Sequence, residues 1–373
     1  MIGGGPGSFI GPVHRMAAEL DGEIELAAGA FSSDPERSRE AGRSYGVNRE
    51  RAYPSFDAML AAERGREDRI DFVAIVTPNH LHAPAAKAAF AAGFHVMSDK
   101  PATATLDEAL DLQRVLSTSD RLYGLTYTYT GYPLVRHARD VIAEGALGTI
   151  RKIVVEYPQG WLAAPIESEG SKQASWRVDP AQAGLGGCIG DIGVHAFNLA
   201  EFVTGLRVTA LLADLAAVVP GRRLDDDCAV LLRFDNGARG VLIASQISLG
   251  ELNGLRLRVY GDKGGIDWRQ EEPNSLTCHR EDGSTEIVRA GTSRVGAAGT
   301  AATRLPGGHP EGYLEAFANL YRDFASLLRA ERTKSLLPGI AEGVRSMAFI
   351  EAAVSASAEQ KGWIQFPDLE RVK

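Results

Sequence analysis

Two short stretches hold residue types suited to proton and charge chemistry. The first is "VMSDKPA", where Asp99, Lys100 and Pro101 follow an apolar run from Phe94 to Met97. A lysine at the end of a buried strand can be half of a solvated turn. It can also be an ammonium at the mouth of a site, placed to stabilise negative charge developing on an oxygen. The second stretch is "GGCIGDIGVHAFN", with Asp191 and His195 four residues apart. If a helix begins near residue 191, both side chains share one face. A neutral imidazole, with an unperturbed pKa of about 6.5, can accept a proton at neutral pH. Taken alone, D-x-x-x-H also describes a capping Asp followed by a core His. The surrounding elements decide between these readings.

Around Lys100 the chain alternates strand and helix. Phe72 to Val76 is a continuous apolar run of the parallel-sheet kind, ending in Thr77-Pro78-Asn79. An alanine-rich helix over 83–93 is stopped by Gly93, and Phe94 to Met97 forms the next strand. The chain opens "MIGGGPGSFIGPVHRMAAEL", a glycine-rich turn before a helix with Val13, Met16, Ala17 and Leu20 at helical spacing. Glycine lets a backbone approach a pyrophosphate, and a helix N-terminus favours its charge. Gly3 and Gly5 fit G-x-G, but Gly11 comes late, so the loop is about two residues longer than G-x-G-x-x-G. Ser8, Phe9 and Ile10 complete the loop and join Gly3 and Gly5 as candidate cofactor contacts. Only Met1 and Ile2 precede Gly3, so the first strand is nearly absent, and the true start is expected upstream of Met1.

Ile24 to Phe31 reads as a strand, and Asp34-Pro35 opens the next helix. The position where a dinucleotide site places its ribose-binding acid falls at Ser32 and Ser33. Asp34 is close but suits a helix cap. Arg37 could meet a 2′-phosphate or be a solvated helix charge. The lack of a basic cluster favours NAD over NADP without excluding the latter. The beat of elements calls for a doubly wound parallel sheet, whose ligands sit outside the carboxyl ends of strands. Thr77, Pro78, Asn79, Asp99 and Lys100 fall on that edge, with His82 beside it at the start of the next helix.

After Tyr123 the pattern changes. "GLTYTYTGYPLVRHARDVIAEGALG" suggests a strand of alternating Thr and Tyr, then a helix ending near Gly145. "TIRKIVVEYPQGWL", "DDDCAVLLRFDNGARGVLIASQIS" and "GLRLRVYGDKGGIDWR" alternate like strands, with Asp235-Asn236-Gly237 a hairpin signal. The expected architecture is α/β: a doubly wound Rossmann domain over 1–125, then an α+β domain over 126–373 with a large, mostly antiparallel sheet. The end of the chain could pack back on the first domain.

"GGGPGSFIG", "VAIVTPNHLH", "VMSDKPAT" and "GGCIGDIGVHAFN" together resemble the Gfo/Idh/MocA oxidoreductases, which include glucose–fructose oxidoreductase and inositol dehydrogenases. The resemblance spans most of the chain, and the last two stretches carry its specificity. Where the family shows Glu-Lys-Pro, this chain has Asp99-Lys100-Pro101. The family's acid three residues after the histidine is Asn198 here, and its usual Arg-Phe pair near Tyr127, Tyr129 and Tyr132 is missing. The resemblance implies an open-faced sheet used for subunit contacts, hence a homodimer or homotetramer. It also implies an NAD(P)-dependent dehydrogenase that oxidises a secondary hydroxyl of a sugar, inositol or related polyol. In that reading His195 is the base, Lys100 hydrogen-bonds the reacting oxygen, and Asp191 orients the hydroxyl or the His–Lys pair. Asp99 orients the lysine or touches the cofactor. Trp176 and Arg177 could line a sugar pocket, since an indole suits the apolar faces of a sugar ring, or could pack in the core. Tyr129 and His309, the latter in "PGGHPEGYLEAF", are further candidate substrate contacts. Two alternatives stand beside this: an NAD-retaining glycosidase of the same family, and a nucleotide or sugar sensor without catalysis. A sensor would have no use for a proton acceptor.

Composition is consistent with this class. The net charge is −8, with 45% apolar and 24% charged residues, so nothing favours nucleic acid or an anionic membrane. No apolar run approaches the roughly 20 residues of a membrane helix, and no export signal is expected. Three widely spaced cysteines, Cys188, Cys228 and Cys278, suit a reducing cytoplasm, and no metal-ligand spacing is present.

Overall fold

The computed structural model describes residues 1–367 and Leu369, without the side chains of Lys172 and Gln173. It divides into two compact units. One is Met1–Thr128 with Tyr313–Val344; the other is Tyr129–Gly312 with the described residues from Arg345 onward.

In the first unit, strands β1 (Ile2–Gly3), β2 (Phe72–Val76), β3 (His95–Ser98) and β4 (Tyr123–Leu125) pair in that order, all parallel. β2 is apolar throughout because a parallel strand is covered on both faces; Val73 and Ile75 are fully buried. Helices Ile10–Glu19, Pro35–Ser44 and Phe56–Arg64 fall between β1 and β2, His82–Ala91 between β2 and β3, and Leu106–Ser117 between β3 and β4. Their starts are written locally. Asp34, Ser55 and Thr105 each cap a helix by accepting backbone N–H groups of its first turn. The strand expected over 24–31 does not form. Its neighbour β1 is two residues long, so the ladder shrinks to single bridges, Ile2 with Ala30 and Gly29 with Ala52. Helix Tyr313–Leu328 belongs to this unit, although the sequence boundary assigned it to the second domain. Its apolar face, Phe317, Leu320, Tyr321 and Phe324, clusters with Val13, Ala17 and Met97.

The second unit holds a nine-stranded sheet. Its strands are β5 (Ile150–Pro158), β6 (Val208–Ala216), β7 (Asp227–Phe234), β8 (Arg239–Ser245), β9 (Arg256–Gly261), β10 (Gly264–Arg269), β11 (Ser275–Arg280), β12 (Thr285–Arg289) and β13 (Ile364–Gln365). They lie in the order β12-β11-β10-β9-β5-β8-β7-β6-β13. Among the described residues, every pairing is antiparallel except β5 with β8. That exception brings two carboxyl ends together, with Pro158 opposite Ser245. Helix Val194–Thr204 packs against β5, β8 and β9, and Phe197 stacks on Phe349 at 4.2 Å. The Thr/Tyr run is not a strand beyond Leu125; Thr128–Gly131 is a 3-10 turn. Every residue from 123 to 130 is buried, so the alternation separates no wet face from a dry one. Among the described residues, no helix is long and apolar enough to cross a membrane.

Candidate active site

The glycine turn of the first unit is shaped by backbone crowding. Gly3 has φ +86°, and a Cβ there would stand 2.6 Å from the Val76 carbonyl oxygen. A Cβ on Gly5 would meet the Phe31 carbonyl oxygen at 2.5 Å. The late glycine, Gly11, does the work of the third one. A Cβ there would fall 2.5 Å from Gly4 Cα, so its absence lets the first helix close onto the turn. Ser8 Oγ accepts the Gly11 N–H at 3.2 Å. Phe9 is 67% exposed beside the turn. The Ile10 side chain is taken up by core packing, so a phosphate contact there would come from its backbone.

At the ribose position, Ser32 Oγ accepts the Asp34 N–H at 3.2 Å, and Ser33 is exposed. Asp34 spends its carboxylate on the N–H groups of Glu36 and Arg37, at 2.9 and 3.0 Å, and is a helix cap. Arg37 is exposed, with Nη2 3.4 Å from the Pro6 carbonyl oxygen, and so leans toward the glycine turn.

At the carboxyl edge, Pro78 is exposed and Asn79 half-buried, while Thr77 Oγ1 is buried without a hydrogen-bond partner. An orphaned hydroxyl beside a glycine cradle fits a dinucleotide. Asp99 Oδ1 accepts the Lys100 N–H at 2.8 Å and the Thr126 hydroxyl at 3.0 Å. The shorter acid thus pins the turn that carries the half-buried Lys100. His82 corrects the expectation of a cofactor contact. It is 1% exposed, with Nδ1 2.6 Å from the Pro101 carbonyl oxygen and Nε2 2.9 Å from that of Thr77. Both ring nitrogens thus face main-chain carbonyls of the two edge turns, and the tautomer decides which of them is bonded.

In the second unit, Asp191 and His195 do not share a regular helix from the start. Ile189–Gly193 is a π turn, with the Val194 N–H donating to Ile189 O, and the α-helix follows from Val194. Such turns are frequent at functional sites. Asp191 Oδ2 accepts from Arg177 Nε and from Gln246 Nε2, each at 2.9 Å. The Arg177 guanidinium lies 4.2 Å from the Trp176 ring centroid and 5.6 Å from that of Trp161. Trp176 and Arg177 are therefore brought to Asp191.

The half-buried His195 ring meets two aromatic edges, Tyr129 at 5.5 Å and Tyr157 at 5.9 Å. Tyr129 also departs from its expected role as a substrate contact. It is 1% exposed and its hydroxyl donates to Asn198 Oδ1 at 3.0 Å, so it braces the imidazole. The neutral Asn198 has its own use as that acceptor. His309 is exposed, with Nδ1 3.1 Å from the Pro306 carbonyl oxygen.

Several residues around Asp191 and His195 escape sequence reasoning. Trp161 Nε1 donates to Gln159 Oε1 at 3.0 Å. Gln159 Nε2 and the Tyr157 hydroxyl both donate to Asn253 Oδ1, at 2.9 and 2.7 Å. Gln159, Trp161 and Gln246 lie just past the carboxyl ends of β5 and β8. The signal was their position after strand ends, but it needs the parallel β5–β8 pairing to be read. Among the described residues, no three His, Cys, Asp or Glu side chains are grouped to hold a metal.

Residues 1–127 match the family model of an oxidoreductase family with an NAD-binding Rossmann fold, and residues 135–267 match the GFO/IDH/MocA C-terminal domain. The chain belongs to the Gfo/Idh/MocA oxidoreductases, and its first domain is an NAD-binding Rossmann domain. A solved oxidoreductase from Sinorhizobium meliloti is 43% identical, with a TM-score of 0.89 and 98% of each chain covered. An inositol dehydrogenase homolog from Azotobacter vinelandii, solved with NAD+, is 34% identical with a TM-score of 0.93, covering 98% of this chain and 96% of that one. The same homolog was also solved with NADH and myo-inositol. The levoglucosan dehydrogenase of Pseudarthrobacter phenanthrenivorans is 27% identical over 99% of this chain and 98% of its own. A levoglucosan dehydrogenase solved with NADH and levoglucosan has a TM-score of 0.86 to this chain, at 26% identity and with 99% of this chain and 98% of that one covered.

Proposed function

We propose that this oxidoreductase is an NAD-dependent dehydrogenase of a sugar, inositol or related polyol, acting on a secondary hydroxyl. The observation that carries the reading is the fixed carboxylate of Asp191, held by Arg177 and Gln246 on the π turn that leads into His195. A carboxylate and an imidazole so placed suit a hydroxyl that must be oriented and then deprotonated. Bound on the glycine turn and the Thr77 edge, NAD supplies the hydride acceptor. His195 takes the hydroxyl proton. Lys100 donates a hydrogen bond to the reacting oxygen and stabilises its developing charge. Asp191 orients the hydroxyl, and the Trp176 and Trp161 rings offer apolar faces to a sugar. The half-buried Ser32 and exposed Ser33, with no basic cluster beside them, support NAD over NADP.

The outward face of the nine-stranded sheet supports a homodimer or homotetramer. Leu231 on β7 and Ile243 on β8 are 43% and 41% exposed there. Lys100→Met and His195→Ala test the assignment. Each is expected to lower turnover by about 100-fold or more while leaving NAD affinity within about twofold. Near-normal turnover in both variants would remove the assignment.

A further inference from the structure

Residues 224–228 read Leu-Asp-Asp-Asp-Cys, and none of these acids has a role in the chemistry above. Yet the N–H groups of three consecutive residues leading into the π turn converge on Asp225. Gly187 N–H donates to Oδ1, Cys188 N–H to the main-chain carbonyl and Ile189 N–H to Oδ2, each at 2.7 Å. The backbones are in close approach, since a Cβ on Gly187 would stand 2.1 Å from the Asp225 carbonyl oxygen. Asp191 follows two residues later, its own N–H donating to Gly187 O at 2.9 Å.

The next acid works from the other side. The Gln246 N–H donates to the Asp226 carbonyl at 2.8 Å, and the Gln246 side chain holds Asp191. The Asp226 carboxylate is itself committed to the N–H groups of Val218 and Val219 and to Arg222. Consecutive acids just before β7 therefore reach the Asp191 carboxylate by two routes, one through the 187–189 backbone and one through Gln246.

We infer that Asp225 is a positioning residue, which clamps the 187–189 backbone so that Asp191 and His195 are presented in the geometry the reaction uses. The inference rests on the assignment of Asp191 and His195 made above. Only an ionised carboxylate suits the clamp, because it offers two acceptor oxygens and no donor. Asn at this position keeps the shape but turns an NH2 toward one of the N–H groups.

Asp225→Asn is the test, read in two ways. Hydrogen exchange of a peptide over residues 185–195 needs no substrate. Its protected amides are expected to exchange roughly 10- to 100-fold faster, the loss of one charge-assisted hydrogen bond. Turnover of NAD with myo-inositol, levoglucosan and a wider polyol panel is expected to fall about tenfold or more in kcat. NAD affinity should hold while kcat falls, which a merely structural role would not produce. Unchanged exchange overturns the inference, as does faster exchange with kcat and polyol KM both unchanged. If Asp225→Asn does not fold, Gly187→Ala displaces the clamp from the other side and should reproduce both effects; normal exchange and kcat in that variant overturn the inference equally. His195→Ala is run alongside. Normal turnover there removes the reading of the site, whereas an inactive His195→Ala beside a normal Asp225→Asn removes only the clamp.

Discussion

Arg177→Met isolates what holds the Asp191 carboxylate. The substitution keeps an unbranched apolar stem but removes the guanidinium, with the Nε donor 2.9 Å from Oδ2 and the stacking on Trp176. A hydrogen bond to a charged partner nets about 1.5–3 kcal/mol. The two side chains are 24% and 18% exposed, so water screens the pair in part and the lower half of that range applies, about 2 kcal/mol. The cation–π contact with Trp176 stabilises Arg177 rather than Asp191 and is left out. If Asp191 orients the reacting hydroxyl, that energy is lost from the transition state, and kcat/KM for the polyol falls about 30-fold. Gln246→Leu removes the second donor to the same oxygen, and the double variant should lose less than the two single losses combined. The assay is steady-state NAD reduction, with KM resolved separately for NAD and for the polyol, and Tm measured as a control. A folded Arg177→Met variant whose polyol kcat/KM stays within about threefold of the parent would refute the reasoning. The Arg177–Asp191 pair would then be holding the fold and not the substrate.

Gly3→Ala places a Cβ 2.6 Å from the Val76 carbonyl oxygen at φ +86°; it should cost about 1–3 kcal/mol by chemical denaturation and weaken NAD binding by calorimetry, and an unchanged NAD Kd would contradict the role of the turn. Burial pushes the Asp225 carboxyl up to about 6, against the N–H bonds of Ile189 and Gly187 that pull it down, with Asp226 facing it. A folded pKa raised above the unfolded value means that its stabilising contribution is complete below about pH 4 and is lost as pH rises through about 6, up to about 3 kcal/mol. Asp225→Asn lacks that loss, so its unfolding free energy should gain on the parent between about pH 4 and pH 7, and parallel curves would contradict the assignment. Leu231→Glu with Ile243→Glu should convert the assembly to monomers by light scattering if the outward sheet face is the subunit contact; an unchanged mass would place the contact elsewhere.

What the sequence revealed was local. The run Phe72–Val76 announced a covered parallel strand, Asp34 with Pro35 announced a helix start, and both formed as read. Lys100 was visible because an apolar strand ran into it. Asp191 and His195 were visible as a pair, but the π turn was not, since an i→i+5 hydrogen bond has no residue signature. The segment 24–31 has a strand's composition, yet a strand also needs a neighbour, and β1 offers two residues. Gln246 and Trp161 stayed hidden for a non-local reason: they flank Asp191 through the pairing of β5 with β8, strands far apart in the chain. Asp225 is the same case, its three backbone contacts reaching about 37 residues back along the chain. His82 was drawn as a ligand contact from its place beside the sheet edge and Tyr129 from the family resemblance, while burial turned both toward protein acceptors.

The most direct test of the central claim is an absorbance assay for reduced nicotinamide. The protein is mixed with NAD or NADP against a panel of aldoses, inositols, anhydrosugars and sugar acids. The account predicts steady reduction of NAD by at least one polyol, abolished in His195→Ala. Tight nucleotide binding with no net reduction by any member of the panel would contradict it, and would favour a family member that retains its NAD or only senses its ligand.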